Sequence, residues 1–87
     1  MKSIWKFQLQ IKGEEYIEMP EGAKILAIQE QHGWPHIWAL VDTEAEKELR
    51  RFYTIGTGHP FDLPPSAKHV GTFQVESGNL VFHVFEN

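Results

Sequence analysis

The side chains with the widest range of possible chemical roles in this 87-residue chain are its five histidines, because an imidazole can bind a metal or transfer a proton. His32 and His36 lie four residues apart around Gly-Trp-Pro, a spacing found in some zinc sites. The chain has no cysteine and no His-Glu-x-x-His motif to complete such a site. A proline-containing turn between the two histidines also does not ensure that they converge. We therefore predict no metal and no cofactor.

A nucleophilic active site has little support in the sequence. Such a site needs a nucleophile, a base and a group that orients the base. The chain contains no Gly-x-Ser-x-Gly motif, and glutamates such as Glu44, Glu46 and Glu48 lie in a charged segment typical of a solvated surface. We predict a non-enzymatic protein. A small hydrolase, metal-assisted or not, is the function that the sequence supports least.

The stretch Gly56-Thr57-Gly58-His59-Pro60 invites a comparison with phosphate-binding loops. No Gly-Lys-Ser/Thr follows, which excludes a P-loop, and a proline rather than a helix follows, which excludes the dinucleotide fingerprint. Two interpretations stay open. The first, favoured by sequence alone, is the end of a strand, where a glycine supplies a positive φ. In the second, backbone N–H groups and the Thr57 hydroxyl approach a ligand.

Arg50 and Arg51 precede the aromatic pair Phe52 and Tyr53. Guanidinium groups bind phosphates, and aromatic faces stack on bases. Adjacent residues of a strand point to opposite faces, so only one arginine can serve a given pocket. The candidate ligand-binding residues are Trp34, Trp38, Arg50, Arg51, Tyr53, Thr57, His59 and His69.

Charge and composition limit the classes of partner that this chain can bind. Twelve acidic and eight basic residues give a formal charge of −4, and the lysines are scattered, so we predict no polynucleotide partner. A small anionic ligand remains compatible, because a few donors in a pocket suffice. No apolar run approaches the roughly 20 residues that span a bilayer, so we expect a soluble cytosolic protein with no membrane partner. Three Trp, six Phe and two Tyr exceed what a small core easily encloses, which favours a homo-oligomer.

The elements that must position these residues are strands, since apolar and polar residues alternate along most of the chain. The predicted strands are residues 3–12, 15–19, 24–31, 36–42, 49–57, 68–75 and 79–86. Those at 36–42 and 79–86 are apolar on both faces, which indicates central or interface positions. Residues 43–50 are good helix formers but carry almost no apolar stripe, so we expect a charged loop or at most one short helical turn there. The prediction is a single all-β domain over 1–87, a small sandwich or partly open barrel of about seven short antiparallel strands.

Several strings together carry a resemblance to known proteins: "IWKFQL", "IEMPEGAKIL", "WALVD", "GTGHP", "VGTFQ" and "LVFHVFE". They resemble a family of small single-domain proteins of tailed phages and prophages, a domain of unknown function. The size and style are similar to phage-encoded sponges, which assemble as oligomers and sequester the cyclic-nucleotide signals of immune systems such as CBASS without cleaving them.

The resemblance implies a non-enzymatic homo-oligomer, a dimer or tetramer, that binds a cyclic di- or oligonucleotide in the host cytosol. A nearly two-fold symmetric ligand suits a pocket at an oligomer interface. The alternative is a protein–protein interaction module, either a virion accessory or an inhibitor of a host protein.

Overall fold

All seven predicted segments form strands in the computed structural model, which describes all residues 1–87. No residue lies in a helix, so no helix is long and apolar enough to cross a membrane. The strands are β1 Lys2–Gln8, β2 Glu15–Pro20, β3 Lys24–Gln31, β4 Trp34–Asp42, β5 Lys47–Gly56, β6 Lys68–Val75 and β7 Leu80–Glu86.

Two antiparallel sheets pack face to face. The first has the strand order β1-β4-β3, and the second has the order β2-β5-β7-β6. The arrangement is sandwich-like and not a closed barrel, which confirms the predicted all-β sandwich. Strands β4 and β7 each have two hydrogen-bonded neighbours, as predicted from their apolar residues on both faces.

The core lies between the inner faces of the two sheets. Its fully buried side chains include Ile37 from the first sheet and Met19, Phe52 and Val84 from the second. Alternation along each strand turns these residues inward and their neighbours outward. On the second sheet, the register therefore places Phe52 and Val84 on the inner face and Tyr53 and Phe85 on the outer face.

The two sheets approach each other closely along one side, where β3 lies beside β6. Gly71 of β6 faces Ile28 of β3, and an added Cβ at Gly71 would just reach van der Waals contact with the Ile28 side chain at 3.4 Å. Both strands also carry an irregularity in register, at 25–27 and at 69–71. The edge strands β3 and β6 lie beside each other without pairing, and β1 and β2 are the edge strands on the opposite side.

The first strand is shorter than predicted, because β1 ends at Gln8 rather than near residue 12. Ile11 has φ 55°, which a strand cannot continue through. Leu9 is nevertheless fully buried, since its N–H donates to the carbonyl of Pro35 at 2.9 Å and holds it over the core.

Trp34 and Pro35 were expected in a turn, but both belong to β4. The turn is confined to His32 and Gly33, whose φ values of 55° and 86° match a two-residue type I′ hairpin. Pro35 is tolerated because it faces away from β3 and toward the end of β1. There the Leu9 N–H donates to the Pro35 carbonyl, and only the reciprocal hydrogen bond, which proline cannot donate, is absent.

The charged segment after Asp42 forms no helical turn. Residues 43–46 make the turn between the sheets, and β5 begins at Lys47. The N–H of Glu21 donates to the carbonyl of Glu46 at 2.7 Å, so pairing with β2 supplies the partners that an isolated helical turn would lack.

Candidate functional site

The outer face of the second sheet brings histidine, threonine and aromatic side chains close together. The register places Tyr53 beside Phe85, Phe85 beside His69, and His83 beside Thr72. These side chains come from three different strands and share the outer face only because of the β5-β7-β6 order.

Residues 57–67, here called the proline loop, lie across this outer face. The Phe61 ring is 6.1 Å from the ring of Phe85 between centroids. Ile55 points outward from β5 and is still only 9% exposed, because the proline loop covers it. The loop therefore makes part of this face concave, where the sheet alone would present a flat surface to solvent.

The glycine-rich stretch at the start of this loop is a strand end. Gly56 completes β5, Gly58 has φ 85°, and the N–H of His59 donates to the carbonyl of Gly56 at 3.1 Å. Thr57 is tied to β7, since both its N–H and its Oγ1 lie 3.1 Å from the carbonyl of Val81. The first interpretation holds for the backbone, whereas the side chains of this stretch contribute to a cavity.

A cavity of about 240 Å³ lies beneath the proline loop, and we call it the histidine pocket. Its lining residues are Ile55, Gly56, Thr57, Gly58, His59, Phe61, His69, His83 and Phe85. Three imidazoles, one hydroxyl and two phenyl rings thus meet in one place. His69 stands edge-on to Phe85, with ring centroids 5.3 Å apart.

A chain of hydrogen bonds links the polar side chains at this pocket. His83 Nε2 is 2.7 Å from Thr57 Oγ1, and His83 Nδ1 is 3.1 Å from Thr72 Oγ1. His69 Nε2 is 3.2 Å from the same Thr72 hydroxyl. Both ring nitrogens of His83 are therefore occupied, which leaves this ring no free nitrogen for a metal.

A larger cleft of about 710 Å³ opens at the end of the sandwich where β3 begins beside β6, and we call it the basic cleft. Its lining residues are Ala23, Lys24, Ile25, Leu26, Arg50, Ser66, Lys68, His69, Val70, Glu86 and Asn87. Lys24 and Lys68 are exposed, and neither forms an ion pair. His69 lines both this cleft and the histidine pocket.

Arg50 and Arg51 point to opposite sides of the second sheet, as predicted. Arg50 lies at the rim of the basic cleft, where its guanidinium binds both carboxylate oxygens of Glu86 and donates to the carbonyl of Ala23. The hydrogen bond to Glu86 raises the pKa of Arg50 above its ordinary value. Arg50 is thus largely committed to the fold, with two of its five N–H groups left for a ligand.

Arg51 lies on the outer face. Its guanidinium carbon is 5.4 Å from the centroid of the Tyr53 ring, and its Nη1 is 3.5 Å from both Tyr16 Oη and Glu14 Oε2. The hydrogen bond to Tyr16 raises the pKa of Arg51. Tyr53 lines a second cavity of about 240 Å³ on the other side of the proline loop, together with His59 and Phe61.

The two predicted tryptophans lie elsewhere. Trp38 is on the outer face of the first sheet, where its ring centroid is 5.7 Å from that of His36. Trp34 is 47% exposed at the start of β4. Neither contacts the basic cleft or the histidine pocket, so the eight predicted residues do not form one site.

The predicted set lacked most residues of the two cavities, including five whose side chains could hold a ligand. These five are Lys24, Phe61, Lys68, His83 and Phe85. The polar His83 within an apolar strand was a usable signal, because a histidine there needs partners. The two lysines carried no signal, since they converge only through the packing of β3 beside β6.

No group of three or more His, Cys, Asp or Glu side chains is placed to hold a metal ion. The site can instead bind through lysine ammonium groups, imidazoles, hydroxyls and aromatic faces. No curated protein and no solved structure matches the chain. One family model matches it over residues 1–87. The chain thus belongs to the family described as "Domain of unknown function (DUF7352)".

Proposed function

We propose that this protein is a non-enzymatic module that binds and retains a small anionic ligand of the nucleotide class in the basic cleft. One observation carries the proposal. Three of the eight basic side chains, those of Lys24, Arg50 and Lys68, line this single cleft of a chain whose formal charge is −4.

The cleft has the dimensions and polarity of a ligand site. Its volume of about 710 Å³ falls within the range of about 300–1,000 Å³ that small-molecule sites occupy. Glu86 is the one acidic side chain in the lining, and Arg50 neutralises it. The ammonium groups of Lys24 and Lys68 therefore give the cleft a net positive charge, which attracts phosphates.

Sequestration of a cyclic nucleotide signal, as by the phage sponges that the sequence resembles, is the role we propose for this binding. Retention without turnover requires donors and aromatic platforms but no nucleophile. The basic cleft supplies the donors, and the neighbouring Phe61 and Phe85 supply aromatic surface.

The binding experiment is a thermal-shift panel of cyclic dinucleotides, linear nucleotides and uncharged nucleosides. We expect stabilisation by the anions and recovery of the intact ligand after the protein is heated. Lys24→Gln with Lys68→Gln should abolish the shift, whereas Lys12→Gln, at an exposed lysine outside the cleft, should preserve it. No shift with any anion, or a shift unaffected by the double variant, would overturn the proposal.

We also propose that the protein is a homodimer in which the free edge of β1 pairs with β2 of a second copy. β1 carries Lys2 and Lys6 and no acid, whereas β2 carries Glu15 and Glu18 and no base. The backbone groups that β1 leaves free for a second copy belong to its even-numbered residues. The odd-numbered Leu9, just beyond the strand, bonds to Pro35 of β4, and the direction alternates along the chain. Pairing of β1 with itself would oppose like charges, which destabilises a sheet.

Charge reversal tests this dimer. Lys6→Glu and Glu18→Lys should each weaken it, and the double variant should restore it, as measured by light scattering after size-exclusion chromatography. Because the two edges lie on the same side of the sandwich, a two-fold axis would form both β1–β2 pairs at once. A monomer at every concentration, or a dimer indifferent to both reversals, contradicts the pairing.

The alternative function, a protein–protein interaction module, is favoured by the exposed apolar residues of the first sheet. Ile4 is 58% exposed, Leu26 49% and Trp34 47%. Stoichiometric capture of one host or virion protein, without any small-molecule shift, would support this alternative.

A further inference from the structure

We infer that the histidine pocket is a binding site for one planar heteroaromatic ring that carries N–H donors, such as a nucleobase with an exocyclic amine. The inference deepens the proposed function, on which it rests for the nucleotide class of the ligand. Three observations support it: the size of the pocket, its aromatic wall and the direction of its hydrogen bonds.

The pocket has room for a ring but not for a whole drug-sized ligand. Its volume of about 240 Å³ lies below the range of about 300–1,000 Å³ for such ligands. Phe61 and Phe85 both line it, with their ring planes inclined by 36°. Aromatic side chains of this kind bind bases by stacking, because every base has a π-face.

The hydrogen-bond chain can be ordered in two directions. In the first, His69 Nε2–H donates to Thr72, whose hydroxyl donates to His83 Nδ1; His83 Nε2–H then donates to Thr57, whose hydroxyl donates to the carbonyl of Val81. This order makes four hydrogen bonds. The reverse order makes three, because Thr57 then donates to His83 and leaves the Val81 carbonyl without the hydroxyl. The structure thus assigns the first order.

That order leaves Thr57 and His69 as hydrogen-bond acceptors in the pocket. The proton of Thr57 is committed to Val81, so its oxygen offers only a lone pair to a ligand. His69 keeps its Nδ1 as an acceptor, since its Nε2 carries the proton. A ring that donates N–H groups matches these atoms, and a ring without donors does not.

The position of His69 connects the pocket to the basic cleft. Because His69 lines both cavities, a ring in the histidine pocket and a phosphate in the basic cleft can belong to one ligand. The proline loop forms part of the pocket through Phe61 and His59, and its last residues reach the cleft through Ser66.

The test separates the two cavities with three simple probes followed by NMR titration. Pyrophosphate carries the charge without a ring, adenosine carries a ring with an amine, and purine riboside carries the ring without the amine. We expect adenosine to shift amide signals of the proline loop and of β7, and to bind roughly tenfold more tightly than purine riboside. Pyrophosphate should shift signals near Lys24 and Lys68 instead.

Thr57→Val keeps the shape of the side chain and removes its hydroxyl. It should weaken adenosine binding roughly tenfold and leave pyrophosphate binding unchanged. Thr43→Val, whose hydroxyl lies on the turn after β4, is the matched control and should change neither. His59→Ala, at an exposed residue of the loop, is a second variant whose folding does not depend on the hydrogen-bond chain.

The outcomes distinguish this inference from the proposed function. Absence of adenosine shifts in the pocket, or equal affinity for adenosine and purine riboside, overturns the inference even if pyrophosphate binds. Adenosine binding without pyrophosphate binding leaves the inference standing and removes the anion-binding proposal.

Discussion

Arg50 on β5 and Glu86 on β7 form an ion pair at the inner rim of the second sheet, with Nη2 2.9 Å from Oε1. Arg50 also donates to the carbonyl of Ala23 in the turn before β3. One guanidinium thereby joins the second sheet to the turn that leads into β3 of the first sheet. The same pair forms a wall of the basic cleft.

Glu86→Gln should lower the free energy of unfolding by about 2–3 kcal/mol, because it leaves the Arg50 charge without its partner. This lies below the roughly 3–5 kcal/mol for a fully buried pair, since the side chains are 17% and 23% exposed. Replacing both residues by Met and Leu should cost less than the single change. Urea denaturation of the unchanged protein and of both variants measures these losses. A loss below about 0.5 kcal/mol for Glu86→Gln contradicts the prediction.

Thr54→Val should raise the free energy of unfolding by about 1 kcal/mol. The Thr54 hydroxyl is buried and has no hydrogen-bond partner, so valine of the same shape removes an uncompensated polar group. Thr43→Val, at a hydroxyl that donates to the Met1 carbonyl at 3.1 Å, should bring no gain. Destabilisation by Thr54→Val would show that the hydroxyl has a partner such as water.

His32→Asn should stabilise the β3–β4 hairpin by about 0.5 kcal/mol, because asparagine adopts the φ of 55° more readily than histidine. Gly33→Ala should destabilise it by about 1–2 kcal/mol, since φ is 86° there. Opposite signs of the two changes in melting temperature are the expected result. Equal signs would argue against a type I′ turn.

Leu9→Ala should cost about 3 kcal/mol, within the roughly 2–5 kcal/mol for core leucines. Leu9 lies outside any strand but is fully buried among the core residues. Leu49→Ala, at a side chain that is 68% exposed, is the control and should change the unfolding free energy by less than about 0.5 kcal/mol. Similar losses for both leucines would place Leu9 outside the core.

Residue pattern was sufficient to predict the strands, because alternation is a local property. It indicated a central or interface position for β4 and β7, from residues such as Ile37 and Val84 next to apolar neighbours on the opposite face, and both strands are central in their sheets. It failed where a single backbone angle decides, as at Ile11, and where a proline lies at the point at which pairing with the neighbouring strand stops, as at Pro35. Neither condition can be derived from propensity.

The sequence also determined that Arg50 and Arg51 face opposite ways, since this follows from the geometry of any strand. Tertiary structure alone decided the composition of the two cavities. Lys24 and Lys68 meet because β3 packs beside β6, and Thr57, His69 and His83 meet because β7 lies between β5 and β6. Strand order depends on long-range packing of the whole core, so residues far apart in sequence become neighbours only when the two sheets close.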